Sequence, residues 1–268
     1  MADLSPISLW RRFLALPNDS RVKTLGVAFL VALVSATAVS VTSVLLKPRQ
    51  QAHIDAARES SLAAMIATLP GLADILRETG AETLDTLIID LDTGLIATGA
   101  DAAGFDFLAA QTDPAQSTSL LPEDDIAGIG RRPNFAPVYL LRGTDGLALV
   151  VLPIYGTGYQ STIRAYLALK GDLNTIAALS VYEQGETPGL GSRITDPAWQ
   201  ALWSGKEAAN ASGEIMITVV RGTAATASEV DGITGATRTS TGVANLVRFW
   251  LGPDGFGPFL TWLKTGDL

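Results

Sequence analysis

No cysteine occurs anywhere in the 268 residues. That absence excludes a disulfide framework, a thiolate metal site, a cysteine-ligated iron–sulfur cluster and a cysteine nucleophile. Histidine is nearly missing too. His53 is the only one, and a lone histidine just past an apolar run is read as a surface residue. Basic residues are outnumbered, 19 Lys and Arg against 27 Asp and Glu, for a net charge of −8. An acidic chain of this kind is a poor partner for nucleic acid. Any redox role would need an organic cofactor, because the side chains that hold redox metals are not there.

What the chain does have is one long stretch without charge, Leu25 to Leu46, bounded by Lys23 and Lys47. Coiled as a helix it spans about 33 Å, enough to cross a bilayer. The triplet Ala36-Thr37-Ala38 offers a small–x–small cleavage site. The apolar run continues past it, beyond the roughly 7–15 residues of a signal h-region, so the segment is read as a retained anchor. Arg11, Arg12, Arg21 and Lys23 precede the span, while Lys47, Arg49 and Arg58 follow it. This bias favours a cytoplasmic N-terminus. Ala28, Ala32, Ala36 and Ser40 recur every fourth residue and share one helix face, where small side chains let another helix approach. With no ionisable group inside it, the span cannot form an ion pathway alone.

The richest local pattern lies near the C-terminus: Asp231-Gly232-Ile233-Thr234-Gly235-Ala236-Thr237-Arg238-Thr239-Ser240. Glycines, an alanine and hydroxyl residues stand directly ahead of the helix-periodic Val243, Leu246, Val247 and Trp250. Small residues let a phosphate approach the backbone, and the helix start offers unpaired N–H groups at a positive dipole end. The same residues also read as an ordinary helix cap.

This stretch resembles the D-G-x-[ST]-G-A-T-x-T-S flavinylation motif of proteins that carry FMN on a threonine by a phosphoester bond. Gly185-Glu186-Thr187-Pro188-Gly189-Leu190-Gly191 resembles the same family's G-E-T-P-G-L-G hallmark. Matching blocks are Pro153–Gly158 with Ser161 and Tyr166–Leu169, and Asp196-Pro197, Trp199-Gln200 and Trp203–Lys206. Thr234 stands where many members have serine. Together these cover roughly residues 150–250 and look like the covalent-FMN subunit family of the bacterial sodium-translocating NADH:quinone oxidoreductase. The resemblance implies covalent FMN on Thr237 and a cofactor site of Glu186, Thr187, Pro188, Gly189, Leu190, Gly191, Thr234, Gly235, Ala236, Arg238, Thr239 and Ser240. It implies no catalytic residue and no metal on this chain. It also implies other membrane and flavoprotein subunits as partners, and a flavin transferase that installs FMN from FAD. The expected place is the bacterial inner membrane, with residues 1–24 cytoplasmic, 25–46 spanning and 47–268 periplasmic, the flavin-binding part being about 147–252.

Organisation follows from periodicity. Residues 48–80 read as helix, Leu84–Leu91 as a strand closed by the Asp92-Thr93-Gly94 turn, and 98–135 as mixed. The acidic triplet Glu123-Asp124-Asp125 is read as a solvated loop, and Gly128-Ile129-Gly130-Arg131-Arg132 lacks the strand–loop–helix setting of a phosphate loop. Leu147–Ile154, Ile163–Leu169, Thr175–Tyr182 and Glu214–Val220 are predicted strands. Pro197–Leu202, 239–251 and 258–264 are predicted helices, Asp196 capping the first. Strands and helices segregate, which predicts an α+β, mainly antiparallel fold behind one transmembrane helix. The equivalent covalent-FMN protein of an Rnf-type electron transport complex and a non-redox anchored interaction module remain as rival readings. A threonine hydrolase is disfavoured because Arg238, the close basic group, cannot act as a base.

Overall fold

The computed structural model describes residues 20–42, 85–99, 104–143 and 146–265, with Trp10, Ala15, Pro17, Lys47 and Ala102 as isolated further positions. His53, the helix predicted over 48–80, Leu84 and the last four residues of the predicted span lie outside them. Contacts divide the chain into two compact units, Met1–Ala56 and Ala57–Leu268.

In the first unit, helix α1 runs from Arg21 to Thr42, 22 residues of mean hydropathy up to 2.2. Its large side chains, among them Phe29, Val34 and Val39, are exposed. Thr37 and Thr42 donate their hydroxyls to the carbonyls of Leu33 and Ala38, at 2.8 and 2.7 Å. These polar groups are therefore satisfied within the helix, as an apolar surrounding requires.

The second unit is built on an antiparallel sheet of five strands in the order β1-β4-β5-β6-β7. β1 is Asp85–Asp90; two short strands, β2 (Ser117–Ser119) and β3 (Arg131–Pro133), pair with each other; β4 is Phe135–Gly143, β5 Gly146–Thr157, β6 Thr162–Lys170 and β7 Ile176–Glu183. A separate parallel pair joins β8 (Thr218–Val220) to β9 (Glu229–Asp231). Among the described residues, α1 is followed by two single-turn helices, α2 (Phe107–Ala110) and α3 (Pro197–Gln200), then α4 (Thr237–Leu251) and α5 (Gly257–Lys264).

The α+β, mainly antiparallel expectation holds. β5, β6 and β7 match the three apolar runs within about three residues. Those runs lack strict alternation because both faces are buried: Val150, Leu152 and Leu167 on one, Val151, Tyr166 and Ala168 on the other. β4 is not among the predicted strands, since Pro137 interrupts it and prolines are normally excluded from a ladder. The register explains its tolerance. Tyr139 pairs with Val151, so Pro137 and Pro153 would meet two residues further on, where the β4–β5 ladder has already ended. The predicted strand Glu214–Val220 is corrected to its last three residues. The Asn210 side chain accepts from the Ser212 and Glu214 amides, at 3.0 and 3.1 Å, and coils the preceding backbone into a turn. Asp196 stands at the N-cap of α3, but its carboxylate faces Arg193 rather than the helix amides. In the 128–132 loop, Asp125 accepts from the Ile129 and Gly130 amides at 2.9 and 2.7 Å, so these donors are committed to a carboxylate of the chain rather than to a phosphate.

α4 lies on β5, and the sequence lets it come close. At Gly156 a Cβ would sit 2.7 Å from Leu246 Cβ, and at Gly242 it would sit 2.8 Å from the Thr157 carbonyl oxygen. Removing both Cβ atoms brings helix and strand almost into backbone contact. Val243, Leu246, Val247 and Trp250 form the buried stripe. Trp250 Nε1 donates to the Tyr155 carbonyl at 2.7 Å, which fixes how far α4 slides along the strand.

Candidate functional site

The two sequence motifs meet at the N-terminal end of α4. Ala236, the N-cap, brings no side-chain hydrogen bond to the helix. The turn before it needs Gly235, whose φ of +83° is a conformation other residues avoid. A Cβ at Gly235 would lie 3.3 Å from Leu190 Cδ2, so the tip of the 186–191 loop rests directly on the 234–236 turn. That loop is a tight turn: Leu190 N donates to the Thr187 carbonyl at 3.1 Å, with Pro188 second and Gly189 at φ +74° third. Thr187 is half-buried, Gly191 is buried, and Pro188, Gly189 and Leu190 are exposed.

Along the first turn of α4 the hydroxyl residues divide. Thr237 is half-buried, Thr234 and Arg238 are exposed, and Thr239 and Ser240 are buried. Thr239 Oγ1 donates to Glu186 Oε2 at 2.6 Å. Ser240 Oγ donates to the Ala236 carbonyl at 3.0 Å and accepts from Ile233 N at 3.2 Å. Both protons are thus committed inside the protein. Thr237 lines a cleft of about 220 Å³ with Thr234, Gly235, Ser240 and Thr241 on one side and Val219, Val220, Arg221 and Gly222 on the other. A larger cavity of about 450 Å³, walled by Leu173, Leu251 and Leu260, shares no residue with either motif; the chemistry follows the residues, not the volume.

Two cations flank Thr237. Arg238, the charge visible in the motif, stacks over the Tyr159 ring at 5.0 Å and is directed toward the β5–β6 turn. Arg221, which follows β8, lines the Thr237 cleft. Sequence reasoning missed Arg221. Its only local signal is an arginine–glycine pair ending an apolar run, which is a common strand exit.

Glu186 is the other buried charge at the site, 4% exposed. Its Oε1 accepts from Gln160 N, Ser161 N and Ser161 Oγ, each at 3.0 Å. Burial pushes the carboxyl pKa up, but the hydrogen bonds from Thr239, Gln160 and Ser161 outweigh it and hold the group below the usual glutamate range. A depressed folded-state pKa contributes stability above the unfolded value of about 4.3 and loses it as pH falls through the folded value. A Glu186→Gln chain is therefore expected to melt below the parent at pH 7, with the gap closing as pH falls below the ordinary glutamate range. A gap that stays constant across thermal melts from pH 7 to 3 would refute the ionised, hydrogen-bonded carboxylate.

An antiparallel sheet backs a helix whose start, without a side-chain cap, faces a hydroxyl cleft with a glycine-rich loop folded over it, an arrangement suited to the phosphate of a ligand. The family model for the FMN-binding domain matches residues 158–252. The chain is 40% identical over 260 residues to NqrC, of the Na(+)-translocating NADH-quinone reductase, from Pseudomonas aeruginosa, covering 93% of this chain and 98% of that protein. It is equally 40% identical over 253 residues to the NqrC of Vibrio alginolyticus, covering 94% and 98%. The crystal structure of Shewanella oneidensis NqrC superposes with a TM-score of 0.65 at 38% identity, over 72% of this chain and 88% of that one. The chain belongs to the NqrC family, one of the subunits of the Na(+)-translocating NADH-quinone reductase. These relatives favour that assembly over the Rnf-type alternative, and α1 fits its membrane anchor.

Proposed function

We propose that this protein carries electrons on an FMN joined through its phosphate to Thr237 Oγ1. The observation that carries the reading is the place of Thr237 on a cleft beside a helix start with no side-chain cap, while the hydroxyl protons of its neighbours Thr239 and Ser240 are committed to internal acceptors. The first-turn amides and the dipole of α4 favour an anion there. Arg221, on the facing wall of the same cleft, brings a counter-charge, and Thr234 an exposed hydroxyl. At about 220 Å³ the cleft is smaller than the roughly 300–1,000 Å³ of pockets that engulf a ligand. It suits the phosphate end of a tethered group whose ring lies outside. The exposed Pro188–Leu190 tip, with Thr187 and Gly191 behind it, forms one wall for that ring.

In maturation, Thr237 Oγ1 attacks the FMN-side phosphorus of FAD. The Oγ1–P bond forms, the P–O bond to AMP breaks, AMP leaves with its phosphate, and the hydroxyl proton passes to a base of the flavin transferase. No electron is transferred in this step. The chain's own part is to present the hydroxyl and to balance the charge of the incoming phosphates. Once bound, FMN supplies reversible redox chemistry, and this chain holds it open toward a partner in the assembly. Neither a nicotinamide nor a quinone site is required on this chain. The charge bias around the apolar span favours a periplasmic position for the flavin domain.

Peptide mapping of chain matured with a flavin transferase tests the reading: one FMN phosphoester, confined to the peptide containing Thr237, is expected. An unmodified peptide from mature material would overturn it. Arg221→Ala is expected to slow flavin attachment about three- to fivefold, the size of one exposed charge contact, while Arg238→Ala has the smaller effect. Equal rates for Arg221→Ala and the parent in a timed mass assay would remove Arg221 from the site.

A further inference from the structure

We infer that Glu186 is a positioning residue that acts as a long-range clamp on α4, setting the rotation of its first turn so that Thr237 faces the cleft. The inference rests on Thr237 being the attachment point. Helix starts are normally held by a Ser, Thr, Asp or Asn at the N-cap, whose side chain closes on the amides two or three residues later. Ala236 cannot do this, and the turn before it contains Gly235; locally, only the Ser240 hydroxyl ties the turn, to Ile233 N and the Ala236 carbonyl, and leaves Thr239 to another partner among the described residues. A second hold comes from far away in sequence. Glu186 Oε2 accepts the Thr239 hydroxyl at 2.6 Å across a separation of 53 residues.

The carboxylate is itself rigidly placed. Its Oε1 takes three donors from Gln160 and Ser161, and Ser161 Oγ also accepts from Gly185 N at 2.8 Å. The surrounding backbone is cut to fit. A Cβ at Gly158 would sit 2.5 Å from Glu186 Oε1, and one at Gly191 would sit 2.7 Å from Thr239 Oγ1 and 2.9 Å from Glu186 Oε2. One buried anion thus joins the β5–β6 turn, the 185–191 loop and the start of α4.

The consequence for Thr237 is geometric. Residues two apart on a helix lie about 200° apart around its axis. Pulling Thr239 inward to Glu186 therefore turns Thr237 to the opposite side, toward Arg221 and the cleft. Without the clamp the first turn can unwind, and the hydroxyl samples other directions. The cost falls on flavin attachment rather than on the sheet.

The test uses full-length chain with flavin transferase and FAD, and compares Thr239→Val with Thr239→Ser. Serine keeps the hydroxyl and is expected to accept FMN at close to the parental rate. Valine leaves a buried carboxylate oxygen without its donor, and labelling is expected to slow about tenfold or more. Hydrogen exchange on the flavin-free chains supplies a second readout independent of labelling. Faster exchange in Thr239→Val, concentrated at residues 237–241 with β5 and β6 still protected, is expected. Equal labelling of the valine and serine variants, or exchange at 237–241 unchanged from the parent, would overturn the clamp. A parent chain that takes up no FMN at Thr237 would instead overturn the attachment site, leaving the exchange comparison to judge the clamp alone.

Discussion

Thr237→Val is expected to abolish covalent flavin while leaving the domain folded. Valine matches threonine in shape, so the half-buried position of Thr237 at the start of α4 can accept it. The bonds that form this turn come from other groups: Ala236 N to the Ile233 carbonyl at 3.0 Å, Ser240 N to the Ala236 carbonyl at 2.9 Å, and the Thr239 hydroxyl to Glu186. What valine lacks is the nucleophilic oxygen, and no neighbour stands in its place. The Thr239 and Ser240 hydroxyls already donate to Glu186 and to the Ala236 carbonyl, Thr234 lies before the helix, and Thr241 lies a full turn further along it. The effect should be all or none, read as flavin fluorescence that survives denaturation and as the mass of one FMN. Thr237→Ser, which keeps the oxygen, should still be labelled. Denaturation-resistant fluorescence at the parental level in the valine variant would place the flavin elsewhere.

The largest stability loss is expected from Trp250→Ala. Trp250 is fully buried and packs against Tyr155 and Phe256 with ring centroids 5.2 and 5.3 Å away. Removing a buried tryptophan side chain costs about 3–5 kcal/mol. Its Nε1 is also the donor to the Tyr155 carbonyl on β5, which would lose that partner. For a domain of this size each kcal/mol moves the midpoint by about 2–4 °C, so a fall of roughly 6–20 °C is expected. Trp250→Phe keeps most of the ring contact and loses the hydrogen bond, so it should fall between alanine and the parent. Because Trp250 sets where α4 sits along β5, the alanine chain should also take flavin more slowly at temperatures where it is still folded. A calorimetric midpoint within about 2 °C of the parent for Trp250→Ala would mean that this contact does not hold α4 on the sheet.

Some of this architecture is legible directly in the order of residues. α4 and α5 begin within two residues of their expected starts, because Pro258 and the 3.6-residue spacing of Val243, Leu246, Val247 and Trp250 are local signals. β5, β6 and β7 are legible for the same reason. β4 is not. Its tolerance of Pro137 depends on the neighbouring ladder ending before Pro153, which is a matter of register between strands. The residue roles at the site follow the same division. Thr237 and the 186–191 loop are recognisable as contiguous motifs, and the resemblance groups Glu186 and Thr239 with the residues expected to hold the flavin. That these two are buried and hydrogen-bonded to each other is visible only in the fold. Arg221 has no local signal beyond a common strand exit, since its relation to Thr237 exists only once β8 pairs with β9.

Three properties therefore belong to neighbours along the chain, where spacing and side-chain type suffice. They are an apolar helix long enough to span a bilayer, the inability to hold a thiolate metal, and two short motifs built for close backbone approach. Which threonine faces the cleft, which arginine stands beside it, and which distant carboxylate secures the helix start are settled only in the folded domain. Glu186 and Thr239 lie 53 residues apart. They meet because the sheet and α4 close over a shared core, and no periodicity in the chain records which remote side chains that closure brings together.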